Sequence, residues 1–278
     1  MSKKIQENKV QLQDCDWYIS EYTATEENNH RIDILRKVAD DNFLNSHRRY
    51  SNGYLHDLAD KLELCNSDEI KCGSPACKKC NRAFQIERVN KIVKAMRSDI
   101  KKDPKLSFGS FTLIEYERAI NPYDFVDFNV QMDKERVRKL FRSSGVVGPI
   151  LGSLEFDFHR SQQLWLPHYH LLVPLGEQYR KPLKKLCKKI AALHPQHLES
   201  EVLPRPTMIQ NVKDALKQVS YIHKLSCFEV RDYKTSLGNR RTKKYRLDDL
   251  LFSESLCWIN EVGRRKMLFE YGARGWLK

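Results

Sequence analysis

Leu151-Gly152-Ser153-Leu154-Glu155-Phe156-Asp157-Phe158-His159 and Leu166-Pro167-His168-Tyr169-His170-Leu171-Leu172-Val173 are the two runs whose reading decides the fold. In the first, apolar Leu154, Phe156 and Phe158 alternate with ionisable Glu155, Asp157 and His159, the period of a strand with one core face and one polar face. In the second, His168 and His170 share one face, while Tyr169, Leu171 and Val173 share the other. The strands span about 148–158 and 166–173, and the polar link Arg160-Ser161-Gln162-Gln163 is short, so they pair as an antiparallel hairpin. Stacking the polar faces brings a carboxylate to two imidazoles, a donor set for a divalent metal with positions left for water and substrate. Glu155 is the first candidate for third ligand. Asp157 is the second, as a same-face alternative or as a group that orients an imidazole. An isolated His-x-His pair on a strand has a purely structural reading too, and the ionisable strand opposite is what argues against it.

About fifty residues on, Tyr221-Ile222-His223-Lys224 lies in a helical pattern over about 212–225, whose apolar stripe is Val212, Ala215, Leu216, Val219 and Ile222. Tyr221 and Lys224 sit one turn apart on one side, beside that stripe. His223 reads as a surface residue. An ordinary phenol ionises only at about pH 10, so a nucleophilic tyrosine needs a metal-polarised phosphate and a cation nearby, the role open to Lys224. The bland alternative is an amphipathic helix with a packed tyrosine and a solvated lysine.

Upstream, Cys65, Cys72, Cys77 and Cys80 give the spacing C-x6-C-x4-C-x2-C. Four thiols at such short range suit a closed, structural zinc site. The alternatives are free or redox-active cysteines, with His56 as a substitute ligand. Cys15, Cys187, Cys227 and Cys257 are scattered and read as small buried apolar residues.

Outward from these motifs, the spacing predicts a helix over 82–102, a strand over 107–116 and a helix over 133–142, with Asp133 as its cap. It also predicts a basic helix over 180–193 and an extended segment near 206–210. Mixed order with a hairpin gives α+β with an antiparallel sheet. The expected division is a helical or partly disordered lead-in, 1–60, and a zinc-binding segment with its linking helix, 61–104. The catalytic domain follows over 105–235, then a basic C-terminal extension, 236–278. Lysine and arginine outnumber acids 49 to 36 in 278 residues, a net charge of +13 that favours a polyanion. The cations cluster at 180–189, including Lys184 and Lys185, and at 231–246, including Arg240 and Arg241. Arg240, Arg241, Lys184 and Lys185 are the candidate DNA contacts. Met1 to Lys4 leads into polar sequence without the apolar core of a signal peptide, no run reaches the roughly twenty apolar residues of a membrane span, and the cysteines do not read as a disulfide framework. A reducing, cytoplasmic compartment is expected, with no membrane partner.

Pro167-His168-Tyr169-His170 resembles the His-hydrophobe-His signature of the HUH single-strand endonucleases, and Tyr221-Ile222-His223-Lys224 resembles their single-tyrosine Y-x-x-K motif. Phe111-Thr112-Leu113 is similar to the first strand motif of rolling-circle replication initiators of plasmids and phages. The cysteine block running into Cys80-Asn81-Arg82-Ala83-Phe84 is similar to the segment preceding the nuclease in some plasmid initiators. The resemblance covers about residues 65–230. It implies an RRM-like antiparallel sheet with helices behind it, Mg2+ or Mn2+ held by His168, His170 and a carboxylate best matched by Glu155, and structural Zn2+ at the cysteines. Tyr221 would attack a single-stranded origin DNA, leaving a 5′-phosphotyrosine and a free 3′-hydroxyl that primes synthesis, with host helicase and polymerase as partners. Some single-tyrosine initiators place a glutamate one turn before the tyrosine for termination; Lys217 stands there, and the nearest upstream acid is Asp214. The competing readings are an HUH transposase acting on mobile-element ends and a non-catalytic, zinc-stabilised DNA-binding regulator.

Overall fold

A computed structural model of the chain describes residues 11–41, 49–193 and 205–277. Three helices come first: α1 (Glu21–Asp40), α2 (Asn52–Asn66) and α3 (Lys78–Lys102). Serines start the first two, Ser20 accepting from the Thr23 amide and Ser51 from the Tyr54 amide. β1 (Ser107–Ile114), α4 (Val130–Ser144), β2 (Ile150–His159), β3 (Leu164–Leu175), α5 (Glu177–Ala192), β4 (Thr207–Asn211) and α6 (Ala215–Ile222) follow. The chain continues through β5 (Cys227–Lys234), β6 (Arg240–Tyr245), α7 (Asp249–Val262), α8 (Arg264–Met267) and β7 (Leu268–Tyr271).

The strands make one seven-stranded sheet in the order β4-β1-β3-β2-β5-β6, with β7 also on β2. The β2–β3 hairpin is antiparallel and sets Glu155 opposite His168 and Ser153 opposite His170. On the other side of β3, β1 sets Thr112 opposite His170. The expected all-antiparallel sheet needs one correction. β5 runs parallel to β2, pairing Asp157 with Phe228, because the chain crosses the sheet through α6 before re-entering it. β7 takes the other half of the same β2 edge, over Ile150–Ser153, antiparallel. The fold is therefore mixed α/β, with helices on both faces of a mixed sheet.

The alternation read in the sequence sorts the faces. Phe111, Leu113, Leu154, Phe156, Phe158, Tyr169, Leu171 and Val173 form one core with Val137 and Phe141 of α4, Leu183 and Leu186 of α5 and Trp258 of α7. On the opposite face, Phe108, Leu151 and Leu172 pack under Val89, Ile92 and Val93 of α3 and Leu216, Val219 and Ile222 of α6. That second layer covers only one end of its face. The ionisable residues of β2 and β3 occupy the rest. A third apolar cluster joins α1, α2 and the cysteines to Leu256 and Cys257 of α7. Residues 236–278 thus contribute β6, α7 and β7 to the same sheet and cores. Gly152 is where β2 and β3 approach closest: a Cβ there would lie 1.9 Å from the His170 carbonyl oxygen, so any side chain would push His170 away.

Asp133 does not cap α4. Asn129 does, accepting from the Met132 amide at 2.9 Å, and Gly145 closes the helix in the left-handed conformation at φ 75°. Asp133 is buried one turn in and accepts the Tyr169 hydroxyl at 2.6 Å. Beside it, Glu115 is paired with Arg136, which also meets Glu117 at 2.8 Å. Burial, with the Asp133 charge next, pushes the Glu115 carboxyl well above its ordinary range. The folded state binds that proton more tightly than the unfolded chain. The contribution is complete below the ordinary glutamate pKa of about 4.3 and is lost as pH climbs. Glu115→Gln keeps a neutral, hydrogen-bonding group there. In denaturant titrations its stability relative to the native protein should rise steadily from pH 5 to pH 8; a pH-independent difference would refute the raised Glu115 pKa.

Candidate active site

The free half of the sheet face holds the four metal-site residues. Glu155 Oε2 lies 3.7 Å from both His168 Nε2 and His170 Nε2, and His168 Nε2 lies 3.7 Å from Asp157 Oδ2. One donor atom each from Glu155, His168 and His170 fall within 4.8 Å of one another, and all three residues are buried. Both Glu155 oxygens and both Nε2 atoms lack hydrogen-bond partners. Two buried imidazole nitrogens without hydrogen-bond partners, facing a carboxylate oxygen, are costly unless an ion satisfies them. The second ring nitrogens are spoken for. His168 Nδ1 meets the Leu166 carbonyl at 3.3 Å, and His170 Nδ1 meets Thr112 Oγ1 at 3.3 Å. A proton on Nδ1 leaves the Nε2 lone pair for a cation. Burial, partly offset by Glu155, pulls the His170 pKa down to about 3, so its imidazole is neutral and competent to ligate at physiological pH. The residues fit a divalent cation, with Glu155 the carboxylate that closes the triad and Asp157 beside His168.

Two lysines reach the same carboxylates. Lys224 Nζ lies 3.0 Å from Glu155 Oε2, and Lys244 Nζ lies 2.7 Å from Asp157 Oδ2. Burial opposes the charge on Glu155, but Lys224 and the two imidazoles outweigh it and hold the carboxyl well below its usual range. Burial likewise opposes the charge of Lys224, and Glu155 outweighs it, raising the lysine pKa. α6 delivers the phenol. The Tyr221 ring is 4.8 Å from the His170 ring, edge to face at 65°, and Lys224 Nζ stands 4.2 Å from the Tyr221 centroid. Tyr221 is 46% exposed and lines a cavity. Glu155, Asp157, His168, His170, Tyr221 and Lys224 therefore converge. Asp157, His168, His170 and Tyr221 line this cavity of about 1260 Å³, walled by β4, α6 and the β5–β6 hairpin, while Glu155 meets the two histidines and Lys224 the Tyr221 ring.

Lys224 competes with a cation for the same Glu155 oxygen. Lys224→Met should therefore raise the affinity for Mn2+ several-fold in calorimetric titration. The metal-free protein should melt lower, since breaking a buried ion pair from one side costs about 3–5 kcal/mol, and Mn2+ should restore most of that loss. Unchanged Mn2+ affinity would mean that the lysine and the ion do not share Glu155.

The four cysteines close on themselves. Sγ–Sγ distances are 3.5 Å for Cys65–Cys80, 3.6 Å for Cys72–Cys80 and 3.6 Å for Cys65–Cys77. Tetrahedral zinc with Zn–S bonds of about 2.3 Å sets its sulfurs about 3.8 Å apart, so the cluster can hold zinc with little movement. Hydrogen bonds from the Cys72 thiol, the Cys80 amide and the Asn28 side chain pull the Cys77 thiol down to about 4, favouring a thiolate. His56 is not in the cluster: it is half-buried and pairs with Asp40 at 3.1 Å.

Other expectations fare differently. His223 is buried, 1% exposed, with Nδ1 donating to the Val219 carbonyl at 3.0 Å, because α6 ends there and turns its side chain inward. Burial is complete for Cys65, Cys77 and Cys257, whereas Cys15, Cys187 and Cys227 are only partly covered. Lys184 and Lys185 are exposed on α5, behind the sheet from the histidines. Arg241 lines the cavity, and the Arg240 side chain lies outside the described residues. The sequence reading missed Lys244 and Thr112 as site residues. Lys244 sat in a basic run read as a candidate DNA contact; its strand alternation with Thr242 was the available signal. No helix among the described residues is long and apolar enough to cross a membrane. Comparison with protein-family models, with curated proteins and with solved structures finds no match, so what this chain does has to be argued from its own site.

Proposed function

We propose that this protein is a metal-dependent single-strand DNA endonuclease and strand transferase of the HUH type that initiates rolling-circle replication through a covalent 5′-phosphotyrosine. The observation that carries it is the convergence of a half-exposed tyrosine, a lysine and a Glu-His-His group on one cavity. The order β1-β3-β2, with helices packed on the sheet, suits the RRM-like core that the motifs imply.

In this reading the scissile phosphate lies between Tyr221 and the triad. Glu155, His168 and His170 would hold Mg2+ or Mn2+, which when bound supplies Lewis-acid polarisation of a phosphoryl oxygen. Tyr221 Oη attacks phosphorus in line, the P–O3′ bond breaks, and the strand keeps its 5′ end on the protein and a free 3′-hydroxyl. Lys224, beside the phenol, offsets the negative charge developing on the tyrosine oxygen and the phosphate. Asp157 and Lys244 fix the flank of His168 and hold the hairpin against the site. The buried position of Glu155 and the imidazoles keeps water away from the reacting phosphate and strengthens each of these interactions.

The DNA path is the cavity itself, where Arg205, Lys217, Arg241 and Lys244 present cations along walls that also carry Met208 and Tyr221. Backbone neutralisation with stacking is the usual grip on single strands. The paired variant Lys217→Ala/Arg241→Ala should weaken binding of a single-stranded oligonucleotide and reduce its salt slope by about 1.4, at about 0.7 per lost phosphate contact. An unchanged slope would take the strand out of this cavity.

The function is tested by incubating the protein with labelled single-stranded oligonucleotides from an origin library and Mn2+. Label that stays with the protein through denaturing electrophoresis, and requires the divalent ion, is the expected result. Binding without any covalent product would favour the regulator reading and overturn this one.

A further inference from the structure

The last turn of α6 is held by side chains from outside the helix. α6 has eight residues, Ala215–Ile222, too few to be stable alone, and within its own backbone the last turn is closed at the Ser220 carbonyl by the His223 amide at 3.1 Å. Gln85 of α3 donates Nε2 to the Ser220 carbonyl at 2.6 Å and to Ser220 Oγ at 3.2 Å. Ser153 of β2 donates its hydroxyl to the Ile222 carbonyl. These carbonyls flank Tyr221 on either side in sequence. Gln85 and Ser153 are 6% and 0% exposed, so water does not compete for either bond. Gln85 is itself oriented, since Tyr18 Oη donates to its Oε1 at 3.0 Å. Ser153 lies opposite His170 in the β2–β3 register, on the face that carries Glu155. The helix bearing the phenol is thus pinned between the metal strand and α3.

We infer that Gln85 and Ser153 are positioning residues for Tyr221, setting the distance between its hydroxyl and the Glu155-His168-His170 group. Neither touches the substrate or the cation. Their buried bonds fix the backbone on both sides of residue 221, and a short helix freed at its C-terminal turn would let the phenol swing over the cavity. Misplacing a reacting group by about 1 Å costs about 100-fold in rate. The proposal rests on Tyr221 as the nucleophile, and one arm of its test does not require turnover.

Gln85→Leu keeps most of the buried bulk and removes the donor; Ser153→Ala removes the donor of the second bond with the loss of one oxygen. For each, single-turnover adduct formation should fall about 10- to 100-fold at saturating oligonucleotide. Oligonucleotide affinity, measured in the Tyr221→Phe background, and Mn2+ affinity should both stay within about twofold of the parent. In the second arm, 3-fluorotyrosine is placed at position 221 and the 19F line is followed as Mn2+ is added. Strong broadening in the parent, reduced in Gln85→Leu and Ser153→Ala, is expected. Full adduct rate and full broadening in folded variants, whatever their melting temperature, would reduce both residues to ordinary core bonds and overturn the inference. If the native protein forms no adduct with any oligonucleotide, the nicking reading fails and the 19F arm alone decides the positioning claim.

Discussion

Tyr221→Phe is expected to abolish the covalent protein–DNA adduct, by at least about 10³-fold in single-turnover rate, the scale on which loss of a nucleophile is felt. The substitution removes one oxygen and leaves the ring that packs against His170 and under Lys224. Folding, Mn2+ affinity and oligonucleotide affinity should therefore stay near the native values. Electrophoresis of labelled oligonucleotide after denaturation reads the adduct, and calorimetry reads the rest. Label persisting on the variant would move the nucleophile elsewhere. Tyr116, which also lines the cavity, would be the next residue to replace. Loss of DNA binding in parallel with the adduct would mean that the phenol serves recognition and not chemistry.

The parts of this site that could be read from sequence are those set by local periodicity. A two-residue alternation fixes which side chains share a strand face, so His168 with His170 and Glu155 with Asp157 followed as soon as a hairpin was accepted. Short spacing brought the four cysteines together; Tyr221 and Lys224 also meet as expected, but from a shorter helix than the pattern over 212–225 predicts, since α6 ends at Ile222 and Lys224 reaches the Tyr221 ring from the turn beyond it. What periodicity cannot supply is pairing between distant segments. β7 joins β2 across more than a hundred residues, and β5 enters parallel rather than antiparallel; nothing in either segment alone names its neighbour. Lys244 reached the site only through that pairing, because β6 hangs on β5 and β5 on β2. His223 went astray for a related reason. α6 stops at Ile222, so a residue placed on the solvent side of a longer helix turns into the core instead. Asp133 looked like a cap because a buried acid that accepts a hydroxyl from a strand thirty-six residues on has no signature in a single sequence.

The four cysteines could hold zinc, and removing the zinc proposed there should be the largest stability effect in the molecule. Structural zinc in small domains supplies about 10–16 kcal/mol at neutral pH, as much as a whole domain's net stability of about 5–15 kcal/mol. Here the cluster shares its load with Leu35, Leu55, Leu58, Leu62 and Leu256, which pack around it. Chelation is therefore expected to lower the melting temperature by more than about 10 °C, at roughly 2–4 °C per kcal/mol for a chain of this size. Zn2+ should restore the loss and Mg2+ should not, which separates this cluster from the Glu-His-His group. Cys77→Ala should be more damaging than chelation. Besides a ligand it removes the sulfur that accepts from the Cys80 amide at 3.4 Å, capping α3, and from Asn28 Nδ2 at 3.2 Å. Its yield of folded protein should fall sharply, and whatever folds should retain Mn2+-dependent adduct formation once α3 is in place. Soluble, fully folded Cys77→Ala protein with no adduct would reverse the assignment, making the cysteines part of the chemistry rather than the support on which α3, and through it α6, is built.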